Sequence, residues 1–186
     1  MRNEWEEERR FHSNEGKEER ERWVVTEFLK TRGIQFQPEE IVSAEQAHST
    51  DVQFRTAQFQ VKEIASPDER RQRDIKEIHA RVLRAKQLQD VIGPSPVYDT
   101  PPVVAGDVLL YNTVTELSKD PRYFPSKHRT DLLLYVTHTR ASLPSSWTLG
   151  WSEFSRRGWR SVSCLIKDQA RVLFAAESAP DFLRCA

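Results

Sequence analysis

A mixed α/β domain, with a sheet flanked by helices, is the architecture the sequence predicts, on three observations. Three segments carry helical signals, two pairs of short alternating runs read as β-hairpins, and one almost continuous apolar run has the length of a strand covered on both faces. The 186 residues suit one compact domain, and with 38% hydrophobic and 10% aromatic residues the chain can bury a core.

Residues 1–17 are a charged lead-in without apolar period and read as a polar arm. From Lys17 to Thr31, KEERERWVVTEFLKT combines helix formers, an acidic first turn and an apolar group (Trp23, Val24, Phe28, with Val25 and Leu29 beside them), and Gly33 supplies the stop. Ile34 to Phe36 reads as extended; Pro38 interrupts, and Ile41 and Val42 resume the strand or belong to its connection. DVQFR (51–55) and QFQVKEI (58–64), separated by Thr56 and Ala57, form a β-hairpin pattern. SPDE (66–69) is a capping box that opens a helix running to about Val91. After the Pro-rich stretch 93–102, residues 103–119 read as a helix ended by Pro121. DLLLYVTHT (131–139) is the doubly covered strand, central to a sheet. A Trp-rich basic segment (147–160) precedes SVSCLIK and ARVLFAA, a second hairpin turning at Asp168 and Gln169.

The 28 basic and 28 acidic residues cancel, but unevenly along the chain. Residues 1–50 carry 8 basic and 12 acidic side chains, residues 51–118 carry 9 and 10, and residues 119–186 carry 11 and 6. A polyanion is therefore drawn mainly to the C-terminal third. No apolar run approaches the roughly 18 residues of a membrane span, and the N-terminus lacks the apolar stretch and cleavage site of a signal peptide. The expectation is a cytoplasmic protein whose Cys164 and Cys185 are structural thiols. P-loop, dinucleotide and nucleophile-elbow motifs do not occur, and His128 and His138 have no metal-ligand spacing.

The first hairpin carries the chemistry. Turning at Thr56 and Ala57, it matches Arg55 with Gln58, Gln53 with Gln60 and Asp51 with Lys62. Asp51, Gln60 and Lys62 then share one face, with Asp51 and Lys62 opposite at roughly 5 Å, while Val52, Phe54, Phe59 and Val61 share the other. Asp51, the Gln60 side-chain carbonyl and the Val61 backbone carbonyl are hard oxygen donors of the kind Mg²⁺ takes. Lys62 beside them can orient or help deprotonate an attacking water and neutralise charge on phosphorus oxygens.

The series Asp51, eight residues, Gln60-Val61-Lys62, preceded by an amphipathic helix containing Glu27 and followed by a capped helix and a buried strand, resembles the PD-(D/E)xK superfamily of restriction-endonuclease-like nucleases. The resemblance implies an α-β-β-β-α-β core, carried here by residues 18–140, with residues 141–186 as a C-terminal β-hairpin extension packed on the same domain. It also implies Mg²⁺- or Mn²⁺-dependent phosphodiester hydrolysis of nucleic acid, DNA above RNA, with sites often working in pairs as a homodimer. Carried over, Asp51, Gln60 and Glu27 become metal ligands with the Val61 carbonyl, and Lys62 the catalytic lysine. More narrowly, the whole chain is similar to a group of bacterial proteins of this length described as endonucleases of uncharacterised activity. Thr50 stands where the family has proline, and Gln60 where it most often has an acid. The neutral amide removes a charge worth on the order of 4 kcal/mol at 4 Å and an effective dielectric near 20; Glu27 can restore it.

Each feature has a plainer reading. Asp51 and Lys62 can be a cross-strand ion pair, and Glu27 an exposed helix acid paired with Lys30 or Arg20. Arg70, Arg71 and Arg73 can track a phosphate backbone or simply be solvated. Arg156, Arg157 and Arg160, interleaved with Trp147, Trp151 and Trp159, can grip nucleic acid or flank tryptophans that pack into the core. The rival function is a binding or regulatory module that keeps a degenerate nuclease fold without catalysis; a third reading is a structural protein docking through its charged arm.

Overall fold

The structure, a computed structural model, describes residues 16–44, 50–66, 80–86, 103–138, 141–142 and 151–184. Helix α1 spans Lys17–Thr31 and buries Val24, Val25, Phe28 and Leu29 along one face. Its end is set by Gly33 at φ +68, from which Gly33 N–H reaches the Lys30 carbonyl (2.9 Å) and Ile34 N–H the Leu29 carbonyl (3.0 Å). Residues 34–37 are irregular, and Pro38–Glu40 form one 3₁₀ turn before strand β1, Ile41–Ser43. Strands β2 (Val52–Phe54) and β3 (Ala57–Ile64) follow. Then come β4 (Val104–Ala105), helix α2 (Gly106–Lys119), β5 (Asp131–Val136), β6 (Ala141–Ser142) and the single-turn helix α3 (Trp151–Ser155). Strands β7 (Ser161–Ile166) and β8 (Gln169–Ala175) and a last turn, α4 (Asp181–Arg184), complete the described chain.

Six strands form one mixed sheet in the order β1-β2-β3-β5-β7-β8, in which β3, β5 and β7 run parallel and the outer pairs antiparallel; β4 and β6 make a separate two-stranded ribbon. The expected central strand is β5, with parallel neighbours on both sides and five of its six residues buried. It stops at Val136 because Thr137 and His138 turn their amides together onto the Ile64 carbonyl (3.0 and 3.1 Å). The second hairpin turns at Lys167 and Asp168, one residue earlier than the sequence suggests, with Lys167 at φ 54 and Ile166 facing Gln169. Both of its strands extend the same sheet, so this part of the segment beyond 141 continues the core.

The sheet is covered on both faces. On one, Val61, Leu133 and Leu165 pack against Val24, Val25, Phe28 and Leu29 of α1 and against Leu183; on the other, Leu132, Leu134 and Cys164 pack against Leu110 and Val114 of α2 and Phe154 of α3. Cys164 is a buried thiol, pushed up to about 12 by desolvation, with Arg171 pulling weakly the other way. Of the expected helix at 66–91, residues 80–84 are helical and 67–79 and 87–91 lie outside the described residues, as do the stretch 93–102 and Cys185.

The first hairpin forms in a register two residues from the one the sequence suggests. Phe54 faces Ala57, Gln53 faces Gln58 and Val52 faces Phe59, so the turn is Arg55-Thr56 and Asp51 continues opposite Gln60 rather than Lys62. Arg55 adopts φ 51, unusual for a residue with a β-carbon, and its guanidinium is held by Glu40 (Nε to Oε1 2.8 Å) and the Gln35 carbonyl (2.8 Å). The gain is Ala57, which a turn at Thr56-Ala57 exposes and this register buries completely beside Val52, Phe54 and Phe59. Because a shift of two preserves strand parity, every side chain keeps the face expected of it.

Candidate active site

Asp51 precedes β2, where its carboxylate reaches across to β3. Oδ2 accepts the Val61 backbone N–H (2.8 Å) and the side-chain amide of the buried Gln60. Oδ1 faces Lys17 Nζ at 3.3 Å, and the same ammonium lies 3.1 Å from Glu21 Oε1. Two carboxylates, one from the start of α1 and one from the hairpin, thus converge on a single cation. Glu21 is only 7% exposed, because it shares the helix face of Val24, Val25 and Phe28, three, four and seven residues on.

Lys62 lies two residues beyond Gln60 on the same face of β3 and is half-buried. It makes no hydrogen bond or ion pair to a described residue. Its Nζ stands 5.8 Å from the centre of the Tyr123 ring, which is buried against Trp159 (5.3 Å between centroids), and it is close enough to Glu21 and Asp120 to favour their charged forms. An uncommitted ammonium therefore stands beside a carboxylate-amide cluster.

The helix acid expected here, Glu27, is elsewhere. Six residues along α1 from Glu21, it is turned well away around the helix and is bound by Lys30 (2.9 Å), the plainer reading given above. Glu21 is the acid of α1 that meets Asp51. Asp51, Gln60, Val61 and Lys62 are brought together.

The arginines divide. The Arg160 guanidinium grips the fully buried Asp131 with two donors (Nε to Oδ1 3.0 Å) and the Thr56 carbonyl (3.1 Å). Arg157 is half-buried, stacked over Tyr111 at 4.8 Å and bonded to its hydroxyl. Arg156 is exposed, 3.9 Å from Glu153. Arg70, Arg71, Arg73 and Trp147 lie outside the described residues, as does the side chain of Trp151, while Trp159 is core, donating Nε1–H to Ser118 Oγ (2.9 Å). His138 is buried and His128 exposed.

Burial, and then the charge of Asp51, push the Glu21 carboxyl up to about 7 from its ordinary 4.5, against the pull of Lys17 and Lys62. Lys17 is desolvated too, but the combined attraction of Asp51 and Glu21 outweighs this and holds it above its ordinary range. For Glu21 the native chain retains a proton that the unfolded chain has lost between about pH 4.5 and 7. The resulting stability is complete below 4.5 and disappears as pH rises through 7. A displacement of this size is worth roughly 3 kcal/mol. In EDTA, urea unfolding of the parent protein should therefore lose about 3 kcal/mol more between pH 4.5 and 8 than unfolding of Glu21→Gln. Parallel profiles would show that Glu21 does not titrate there.

The oxygen donors Asp51, Glu21, Gln60 and the Val61 carbonyl are hard ligands. Among the described residues no three of His, Cys, Asp and Glu gather, so the carboxylates number two, within the one or two that a Mg²⁺ site shared with phosphate and water employs. The Lys17 ammonium between the two carboxylates shows that they can share a cation.

No curated protein matches the chain. A solved structure of a protein of unknown function from Pseudomonas aeruginosa strain PAO1, described as Monooxygenase Superfamily, is similar at 26% identity and a TM-score of 0.66, covering 98% of this chain and 86% of that one. No helix among the described residues is long and apolar enough to cross a membrane. A family profile matches residues 1–186, and the chain belongs to that family, described as "Putative endonuclease, protein of unknown function (DUF1780)".

Proposed function

We propose that the protein is a Mg²⁺- or Mn²⁺-dependent endonuclease that hydrolyses phosphodiester bonds in nucleic acid, DNA above RNA, on a restriction-endonuclease-like core. The observation that carries the reading is the meeting of Glu21, Asp51, Gln60 and Lys62 at one end of the hairpin. Leaving aside the β4–β6 ribbon and the helical residues 80–84, the order helix, three strands, helix, strand supports it, with β3 and β5 parallel and adjacent. So does membership of a family described as endonucleases. Asp51 and Glu21 would hold the ion, joined by the Val61 carbonyl and, once its amide is turned over, the Gln60 oxygen. When bound, a divalent ion supplies Lewis acidity and a more acidic water. Asp51 also ties the start of β2 to Val61, so the acid and the lysine two residues beyond Gln60 are fixed to one frame. Lys62 orients the attacking water and neutralises charge gathering on the phosphoryl oxygens.

Labelled single-stranded and duplex DNA should be cut in Mg²⁺ or Mn²⁺ and not in EDTA, and Asp51→Asn should abolish cutting by at least about a hundredfold. Asparagine keeps an acceptor for the Val61 N–H, so the fold survives the substitution. Salt-sensitive binding with no cutting in either metal would instead select a non-catalytic nucleic-acid-binding module, the reading that the neutral Gln60 favours.

A further inference from the structure

Between α2 and β5 the chain makes two 3₁₀ turns, Pro121–Tyr123 and Lys127–Arg129, that lie beside the lysine of the site. Tyr123 anchors them, its ring placed between Trp159 (5.3 Å) and Lys62 Nζ (5.8 Å). Asp120 caps the first turn by accepting the Arg122 N–H (3.0 Å), and Lys127 fixes the second by donating to the Ser118 carbonyl (3.2 Å). On this rigid base the next residue, Phe124, presents its ring to solvent at 53% exposure. Lys127 Nζ stands 5.3 Å from that ring, Arg129 is exposed five residues on, and the exposed Arg122 is held by Asp120 through its Nε (2.9 Å). Asp120 is the one acid among residues 120–130, a stretch that carries the basic residues Arg122, Lys127 and Arg129.

An exposed aromatic ring framed by cations, set on a preorganised turn, is the combination that stacks a base and holds its phosphates. A base inside a duplex has both faces covered by its neighbours and cannot take such a stack, whereas one in a single strand, gap or flap can. The zero net charge of the chain fits contact with a few phosphates rather than a long duplex groove. We propose that Phe124 is the stacking platform for an unpaired base next to the phosphodiester presented to Lys62, with Arg129 on an adjoining phosphate. The substrate class is then single-stranded or locally unpaired nucleic acid. The proposal rests on the nucleolytic reading for its placement at a reacting phosphate, while the platform itself is tested by binding alone.

The test is fluorescence anisotropy in EDTA with a labelled single-stranded oligonucleotide and the same sequence as duplex, together with 2-aminopurine emission in the single strand. The parent protein should prefer the single strand and quench 2-aminopurine. Phe124→Ala should bind it about tenfold more weakly and lose the quenching, and Phe124→Trp should retain both. Arg129→Ala should lower the slope of log affinity against log salt by about 0.7. Unchanged binding by Phe124→Ala, equal or better binding of duplex, or no binding of the single strand by the parent overturns the proposal. Binding that follows this pattern without metal-dependent cutting would overturn the hydrolytic reading and leave the platform standing.

Discussion

Lys62→Ala should lower metal-dependent cleavage about a thousandfold and leave the fold intact. The loss combines an ammonium positioned on charge that develops during reaction, worth about 10²–10³, with its orienting hold on the water. The cost to stability is small because Lys62 makes no ion pair or hydrogen bond to a described residue; what disappears is its contact with Tyr123, 5.8 Å from the ring centre. Because the ammonium is only half-buried, its contact with the buried ring contributes about 0.5–1 kcal/mol, so the melting temperature should fall by no more than about 4 °C. Lys62→Met keeps the apolar stem and should be as inactive, whereas Lys62→Arg, whose planar, permanently charged fork differs in shape and proton affinity, should restore little. Gel-based cleavage beside thermal melting separates these effects. Cleavage that survives in Lys62→Ala would remove the lysine from the chemistry.

The parts of this site that the sequence revealed are those set by local periodicity. The alternation in DVQFR and QFQVKEI assigned Asp51, Gln60 and Lys62 to one face, and that held through a register error because the error was two residues, an even number. The choice of turn was not legible, since it depended on Arg55 finding Glu40 and the Gln35 carbonyl, fifteen and twenty residues away. Glu21 was missed for a related reason. Its position, three and four residues before Val24 and Val25, is on the apolar face, but a glutamate there is assigned to water by composition alone. Only Lys17 and Asp51, the latter thirty residues on, show how its charge is accommodated. An acid at a stripe position of an otherwise apolar helical face is the signal that marks it. Glu27, chosen because it was an acid on the same helix, sits on the wrong side of the cylinder.

Arg160, expected at a phosphate, is bound inside the fold, and that placement predicts a large effect on stability. Interleaved with tryptophans in a basic segment, it resembles a phosphate contact; its partner, Asp131, is revealed only by the pairing of β5 with β7, which sets Asp131 beside Ser161. Asp131 is fully buried and takes Gln58 N–H (2.9 Å) and Ser161 Oγ–H (2.8 Å) besides the guanidinium, so one carboxylate fastens the heads of three parallel strands. Arg160→Ala leaves that charge buried with two neutral donors, a loss of about 3–5 kcal/mol. For a chain of this length the melting temperature should drop by about 6–20 °C. Adding Asp131→Asn removes the unpaired charge while keeping an acceptor for the Gln58 N–H, the Ser161 hydroxyl turning to accept from the new amide, and should recover more than half of the loss. Oligonucleotide affinity, measured below the lowered melting temperature, should stay within about twofold of the parent, since a guanidinium engaged in the sheet cannot also grip a phosphate. An Arg160→Ala protein that melts like the parent but binds DNA with a weaker salt dependence would return the residue to the nucleic-acid surface.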